Sequence, residues 1–404
     1  MPSPNESSTF DLALVLLLGA TALLILADDA VPWGVLVGKG VGGALLLASL
    51  PRLVTTHRSA TRWLVLPVAG FAAWSLLSLA WTVDPTATTL RGQHLVMETL
   101  LLGAIAATWT TRGSRAVGLG GALATGLIAA GFLLELWAPD GARLRPFGLH
   151  PNLAARDALL GALLGTLLLP RQPVWGATLV GLVGGFAVGC SWSSGAILAS
   201  VAVCAVLLSR RRWLPAVGGL VLGMAVGAAA LTWTAEQAPP TPTEARKLRS
   251  PATALKGSAI EEIGSGRLVL WGHALRVARQ SPLLGAGAGA FPAAMEPIRA
   301  AHQAAGGEHS KPRRRAHNTF LEVLAESGPL GLLLFVMPVA WAGRRAWGRR
   351  DEVTAALVTF VVVSALTDSL LQQKSLWLAV CVAVLSALAP LPRASEPPSP
   401  RPNR

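Results

Sequence analysis

The stretch RRRAHNTFLEVLAESGPLGLLLF, residues 313–335, combines residue types that suit proton transfer and anion binding. His317 follows Arg313, Arg314 and Arg315 at the mouth of an apolar segment. Histidine is the side chain most easily poised to accept a proton near neutral pH, and arginine binds phosphate through paired hydrogen bonds. The stretch therefore has two interpretations, either a proton acceptor beside an anion clamp or a basic patch that contacts anionic lipid headgroups.

Asn318 follows His317 directly and, like the three arginines before it, is a candidate for substrate binding. The apolar segment then continues with Glu322 and Glu326. Charged side chains inside such a segment are costly and usually face a polar interior. Because Glu322 and Glu326 are four residues apart, they share one face of a helix. We expect them to order His317 or the neighbouring arginines rather than to react.

A second candidate site is ARLRPFGLHPNLAARD, residues 142–157. Its prolines and glycine impose a tight bend, and Asn152 is expected to cap the helix that follows. Arg145 lies in this short loop, where a lone exposed arginine is usually only solvated.

A third candidate is GRLVLWGHALRVARQSPLLGAGAGAFP, residues 266–292. Apolar residues at helical spacing predict a short amphipathic helix that Arg267 opens and Pro282 ends. The glycines at 285, 287 and 289 resemble a dinucleotide-binding loop only superficially, because no strand precedes them. We interpret them as a flexible turn beneath a helical lid.

The composition indicates what must position these residues. The chain is 52% hydrophobic and only 14% charged, with a mean hydropathy of +0.53, so its apolar residues cannot all be hidden in one soluble core. These values predict an all-α polytopic membrane protein. About twelve windows are long enough to span a bilayer: 10–28, 31–50, 62–82, 93–110, 115–137, 153–170, 174–190, 193–209, 213–234, 318–342, 354–371 and 375–391.

The positions of lysine and arginine predict the orientation. If the N-terminus is cytoplasmic, the short inside loops and the C-terminal tail hold 16 basic residues and the short outside loops hold 4. Cytoplasmic loops are enriched in these residues, so both termini are placed in the cytoplasm. The formal charge of +13 is then largely a topology signal and does not indicate nucleic-acid binding.

This topology divides the chain into four parts. Nine spans occupy 1–234, a long external loop with the amphipathic helix occupies 235–316, three spans occupy 317–391, and residues 392–404 form a disordered cytoplasmic tail.

A secondary transporter is one alternative for such a chain. Lys39, Glu98, Asp157 and Asp368 fall in or near the apolar windows and could line an ion or substrate path. However, the sequence shows no convincing internal repeat, and its richest ionisable cluster lies at one interface. An enzyme is therefore favoured.

Four stretches together resemble the O-antigen ligase and polymerase superfamily of bacterial membrane glycosyltransferases. The HN-x-x-L-x-x-x-x-E-x-G-x-x-GL pattern of the fourth is the most specific. They occur in family order and are WSLLSLAWTVDPTATTLRG, RPFGLHPNLAA, GRLVLWGHALRVARQSPLLGAGAGAFP and AHNTFLEVLAESGPLGLLLF.

The resemblance implies a twelve-span, GT-C-type enzyme that needs no metal or cofactor and acts at the periplasmic face of the inner membrane. It would move a glycan from undecaprenyl diphosphate to a hydroxyl of lipid A-core, with inversion. Arg145 and Arg267 would bind the diphosphate, and His317 would act at the acceptor as a general base. The sequence carries no paired external aspartates of the divalent-metal type, and arginines could take the metal's role.

The chain departs from the family at Ser194, where an arginine often stands. Another arginine, such as one of those at 313–315, could replace it, or the position is not needed here. A polymerase would use the same donor, and a protein O-oligosaccharyltransferase commonly carries an added soluble C-terminal domain. Ligase is favoured by the single compact external loop.

Overall fold

The computed structural model describes residues 4–27, 34–53, 60–137, 144–168, 174–209, 213–237, 258–305, 315–349 and 351–389. Regular structure within these ranges is helical throughout, which confirms the all-α class. The α-helices, in chain order, are α1 Pro4–Ala27, α2 Gly34–Leu53, α3 Leu66–Leu77, α4 Pro85–Thr108, α5 Thr111–Trp137, α6 Pro151–Gly165, α7 Val174–Ser191, α8 Ser194–Leu208, α9 Leu214–Gln237, α10 Ser258–Gln280, α11 Phe291–Ala304, α12 Thr319–Arg349, α13 Glu352–Thr367 and α14 Lys374–Leu388.

A helix coincides with each of the twelve predicted apolar windows. Within the described ranges, four helical segments are long and apolar enough to cross a membrane, and five further apolar helices are shorter. The chain is thus consistent with a membrane protein, and the figure of twelve spans stays a prediction. The four long segments are Arg62–Ala80, Thr111–Trp137, Leu214–Trp233 and Thr319–Arg349.

Helix α14 lies at the centre of the bundle. Twelve of its fifteen residues are buried, as expected for a helix that is apolar on every face. Trp377 of α14 lies 6.5 Å from Phe71 of α3 and 5.9 Å from Phe335 of α12, measured between ring centroids. These aromatic contacts tie α12 to the core, so the helix that begins at the His317 motif has a fixed support.

Small residues allow α7 and α9 to pack closely. A Cβ atom at Gly185 of α7 would lie 2.1 Å from the Leu220 carbonyl oxygen, and one at Gly223 of α9 would lie 2.1 Å from that of Leu182. Only glycine permits this approach, and close packing through small residues is a common means of association for apolar helices.

The amphipathic segment forms a helix, as predicted, although α10 begins earlier than the pattern indicated, at Ser258. Leu270 and Val277 of α10 pack with Phe291 and Met295 of α11 in a second, smaller core. Ala325 of α12 belongs to the same core. The two loop helices are therefore docked on α12.

Candidate functional site

Helix α12 begins immediately after His317. The side-chain Oδ1 of Asn318 accepts a hydrogen bond of 3.1 Å from the Leu321 backbone N–H, which caps the helix and buries the asparagine. His317 itself has φ 49°, in the left-handed region. This conformation costs a non-glycine residue about 1–3 kcal/mol, so the surroundings must hold it in place.

His317, Asp368 and Arg156 form what we call the histidine cluster. The imidazole Nδ1 of His317 lies 2.9 Å from Asp368 Oδ1, and the guanidinium of Arg156 forms an ion pair with Asp368 Oδ2. The side chains of His317 and Asp368 are 42% and 24% exposed, whereas that of Arg156 is 6% exposed. Arg156 on α6 is thus a buried cation, and it pairs with Asp368 at the end of α13. Asp368 in turn contacts the accessible imidazole of His317.

The segment after α13 is tied to the start of α12 by two hydroxyl groups. Thr319 Oγ1 donates to the Asp368 carbonyl oxygen at 2.7 Å and accepts from the Leu370 N–H at 3.0 Å. Ser369 Oγ accepts from the His317 N–H at 3.0 Å and donates to Glu322 Oε2. These bonds fix the relative positions of the imidazole and its carboxylate partner.

Arg91, Glu322 and Glu326 form what we call the glutamate cluster. Arg91 Nη2 lies 3.7 Å from Glu322 Oε1 and 3.9 Å from Glu326 Oε2. All three side chains are at most 2% exposed. Arg315, which is partly exposed, adds a contact of 3.4 Å from its Nη1 to Glu322 Oε1. The two glutamates therefore face arginines, an arrangement in keeping with the ordering role expected for them.

The glycine turn between α10 and α11 docks on α12 beside this cluster. The N–H groups of Ala286 and Gly287 donate to the carbonyl oxygens of Ala325 and Glu326, both at 2.9 Å. Gly285 has φ 71°, and a Cβ there would lie 2.4 Å from the Glu326 carbonyl carbon. Glycine is required for this contact, so the repeated glycines form a docking turn and no dinucleotide loop.

The other predicted site residues are distributed around these clusters. Arg145 is exposed on the turn before α6, and Arg267 is partly buried on α10. The ion pairs of the two clusters include neither of these arginines. Arg313, Arg314 and the tail at 392–404 lie outside the described residues.

The prediction that Asn152 caps α6 was wrong. His150 is the N-cap residue, and its Nδ1 accepts from the Asn152 N–H at 3.3 Å. Pro151 explains the difference, because proline is favoured at the first helical position and so places the start two residues earlier.

Sequence reasoning also missed the role of Arg91, which it placed in an external loop. The residue lies in the second turn of α4, which begins at Pro85 with Asp84 as its cap. Aspartate followed by proline is a recognisable start signal for a helix. Arg156 and Ser369 gave no comparable signal, since their partners are more than 40 residues away.

The start of α8, which includes Ser194, lies close to the histidine cluster. A Cβ at Gly195 would be 2.9 Å from Thr367 Oγ1, and Thr367 immediately precedes Asp368. The departure from the family pattern thus occurs one residue before Gly195, whose neighbour Thr367 is followed by the Asp368 that Arg156 pairs with. Within the described ranges, no group of three or more His, Cys, Asp or Glu side chains could hold a metal ion.

Residues 179–336 match the family model described as O-antigen ligase. This segment is similar to an O-antigen ligase domain. The match confirms the superfamily resemblance and supports a ligase-type or polymerase-type function in general terms. A comparison with curated proteins found no match.

The matched segment covers only part of the site. It extends from α7 into α12 and includes Arg267, the glycine turn, His317 and both glutamates. Arg91, Arg156 and Asp368 come from helices outside it. The partners that orient the family motif are therefore supplied by the rest of the chain.

Proposed function

We propose that the protein is a ligase-type glycosyltransferase of the bacterial inner membrane. It moves a glycan from undecaprenyl diphosphate to a hydroxyl group of lipid A-core at the periplasmic face. The observation that carries the proposal is the contact of 2.9 Å between His317 Nδ1 and Asp368 Oδ1, on an imidazole that remains 42% exposed.

This contact prepares His317 to act as a general base. A carboxylate can only accept a hydrogen bond, so Asp368 selects the tautomer that carries its proton on Nδ1. The lone pair of Nε2 is then available to the acceptor hydroxyl. Arg156 keeps Asp368 ionised by pairing with its other oxygen.

The reaction follows from these positions. His317 Nε2 takes the proton of the acceptor hydroxyl as the hydroxyl oxygen bonds to the anomeric carbon, and the bond from that carbon to the diphosphate breaks. Attack opposite the leaving group inverts the configuration. The developing charge on the diphosphate is stabilised by arginines, for which Arg145, Arg267 and the basic run at 313–315 are the candidates.

Arg156 also accounts for the serine at position 194. A guanidinium from α6 pairs with Asp368, and the residue before Asp368, Thr367, lies against Gly195 at the start of α8. We infer that Arg156, rather than one of the arginines at 313–315, takes the place of the family's arginine.

A reconstituted transfer assay tests the function. Purified protein in liposomes receives undecaprenyl-diphosphate glycan with or without lipid A-core, beside the His317→Ala variant. Product that requires lipid A-core and vanishes in the variant supports the ligase. A lengthening lipid-linked ladder without that acceptor would make the protein a polymerase instead, and proton-coupled uptake without any glycan lipid would make it a transporter.

A further inference from the structure

We infer that Ser369 is a positioning residue that holds His317 in its left-handed conformation and aligns its ring with Asp368. The inference rests on the proposed function in that it assigns His317 the reacting role. The claim that Ser369 fixes the His317 backbone depends only on the observed contacts and not on the proposed function.

The direction of each hydrogen bond around Ser369 can be worked out from the partners. The hydroxyl of Ser369 donates its single proton to Glu322 Oε2, and the other oxygen of that carboxyl group faces Arg91 and Arg315. The oxygen of Ser369 is left to accept from the His317 N–H at 3.0 Å. The hydroxyl therefore cannot rotate away from the histidine backbone without losing a charge-assisted bond.

Ser369 contacts both members of the reacting pair. Its side chain holds the His317 backbone, and its own N–H donates at 2.8 Å to Asp368 Oδ1. That same oxygen lies 2.9 Å from His317 Nδ1. Ser369 thus fixes both the backbone position of His317 and the orientation of the Asp368 carboxylate.

Glu322, which is buried, supports this arrangement from the protein interior. Besides the Ser369 hydroxyl, its carboxylate accepts from the Ala316 N–H at 3.4 Å and from Arg315 Nη1 at 3.4 Å. Two consecutive backbone N–H groups, at positions 316 and 317, are therefore held directly or through Ser369 by one buried carboxylate. These hydrogen bonds hold His317 at φ 49°, a conformation that is unfavourable for a non-glycine residue, just before the start of α12.

The test compares Ser369→Ala with Ser369→Thr in the full-length protein. Misplacement of a reacting group by about 1 Å can cost 10²-fold in rate, so we expect S369A to lower kcat by about that factor with little change in KM for the donor. S369T keeps the hydroxyl and should remain close to the wild type. Ser364→Ala is the matched control, because Ser364 is buried in α13 and its hydroxyl has no hydrogen-bond partner among the described residues.

A second readout does not depend on activity. Amide hydrogen exchange of the peptide that contains His317 should accelerate in S369A more than that of the other helices, beyond any general fall in stability from the lost bond to Glu322. If S369A does not accumulate in the membrane, Ser369→Cys replaces it, because a thiol is a weak acceptor and should give a smaller loss of the same kind.

The outcomes separate this inference from the proposed function. Wild-type kcat and exchange in S369A, or equal losses in S369A and S369T, would overturn the positioning role. An active His317→Ala variant, measured beside them, would instead overturn the general base, whatever the Ser369 variants do.

Discussion

The histidine cluster and the glutamate cluster lie on either side of Ser369 and contain the same kinds of group. In the histidine cluster an arginine pairs with one carboxylate, and in the glutamate cluster an arginine pairs with two. They differ in access, since the imidazole of His317 is 42% exposed while no side chain of the glutamate cluster exceeds 2%. Only the first can meet a substrate hydroxyl without rearrangement of the helices.

This difference assigns the two clusters separate physical tasks. Burying charge is expensive unless every member is paired, and pairing of this kind seldom adds net stability over apolar packing. The glutamate cluster instead specifies an arrangement, because Arg91 joins α4 to α12 and the Glu326 carbonyl oxygen receives the glycine turn. The histidine cluster leaves one imidazole nitrogen for chemistry.

The largest expected effect is that of His317→Ala. Removal of a general base typically lowers the rate by ~10²–10⁴-fold, so kcat for glycan transfer should fall by that factor, with expression and donor binding largely intact. The measurement is single-turnover transfer in liposomes. His94→Ala serves as the control, because His94 is exposed on α4 and should transfer normally; transfer at the wild-type rate by H317A would remove the histidine cluster from the chemistry.

The next largest effect is that of Asp368→Asn. The amide preserves the shape but leaves Arg156 without its charge partner and no longer selects the imidazole tautomer. Loss of one preorganised electrostatic partner commonly costs about 10²–10³ in rate, and we expect kcat to fall by a factor of about 10².

Asp351→Asn is the matched control for that substitution. Asp351 caps the opposite end of the same helix, where its Oδ1 accepts from the Thr354 N–H at 3.2 Å. Asparagine caps a helix about as well as aspartate, so this variant should keep both its stability and its kcat close to the wild-type values. An equal fall in kcat for both variants would show that the integrity of α13, and not the charge of Asp368, matters.

The contrast between the clusters also explains what could be predicted from sequence. The apolar windows coincide with helices because their period and length are local properties. His317, Glu322 and Glu326 could be grouped because they lie within ten residues of one another, at and just before the start of α12. Arg156 and Asp368 could not be paired, since they are 212 positions apart and only the packing of α6 against α13 brings them together.

Helix ends were the other source of error. The window drawn for α4 began at residue 93 because the preceding residues are polar, yet the helix starts at Pro85. Because of this earlier start, Arg91 lies on α4 and in the glutamate cluster rather than in a loop. The capping signal at Asp84 and Pro85 predicts the correct start of the helix, whereas hydropathy alone does not.

A smaller effect is expected from Arg145→Ala and Arg267→Ala, which lie in neither cluster. A charge-assisted hydrogen bond contributes about 1.5–3 kcal/mol, so each variant should lose roughly tenfold or more in kcat/KM for the donor. Transfer is measured against donor concentration, with Arg279→Ala, exposed on α10, as the control. Normal kinetics in both variants would leave the diphosphate without its proposed clamp.

The smallest effect on catalysis, and the largest on stability, is expected from Arg91→Met. Removing one partner of a buried ion pair typically costs about 3–5 kcal/mol, since Glu322 and Glu326 would lose their shared arginine. The thermal midpoint in detergent should fall sharply, while kcat per folded molecule stays near the wild-type value. Both quantities are measured on the same preparation.

The double variant Arg91→Met with Glu326→Gln makes the comparison sharper. Glu326→Gln removes one of the two carboxyl groups that would lack Arg91, and Glu322 keeps its contacts with Arg315 and Ser369. We expect the double variant to be more stable than Arg91→Met alone, a non-additive result of the kind that residues in one network give. If Arg91→Met instead lost catalysis with its stability intact, the glutamate cluster would belong to the reacting site, and burial would not distinguish the two clusters.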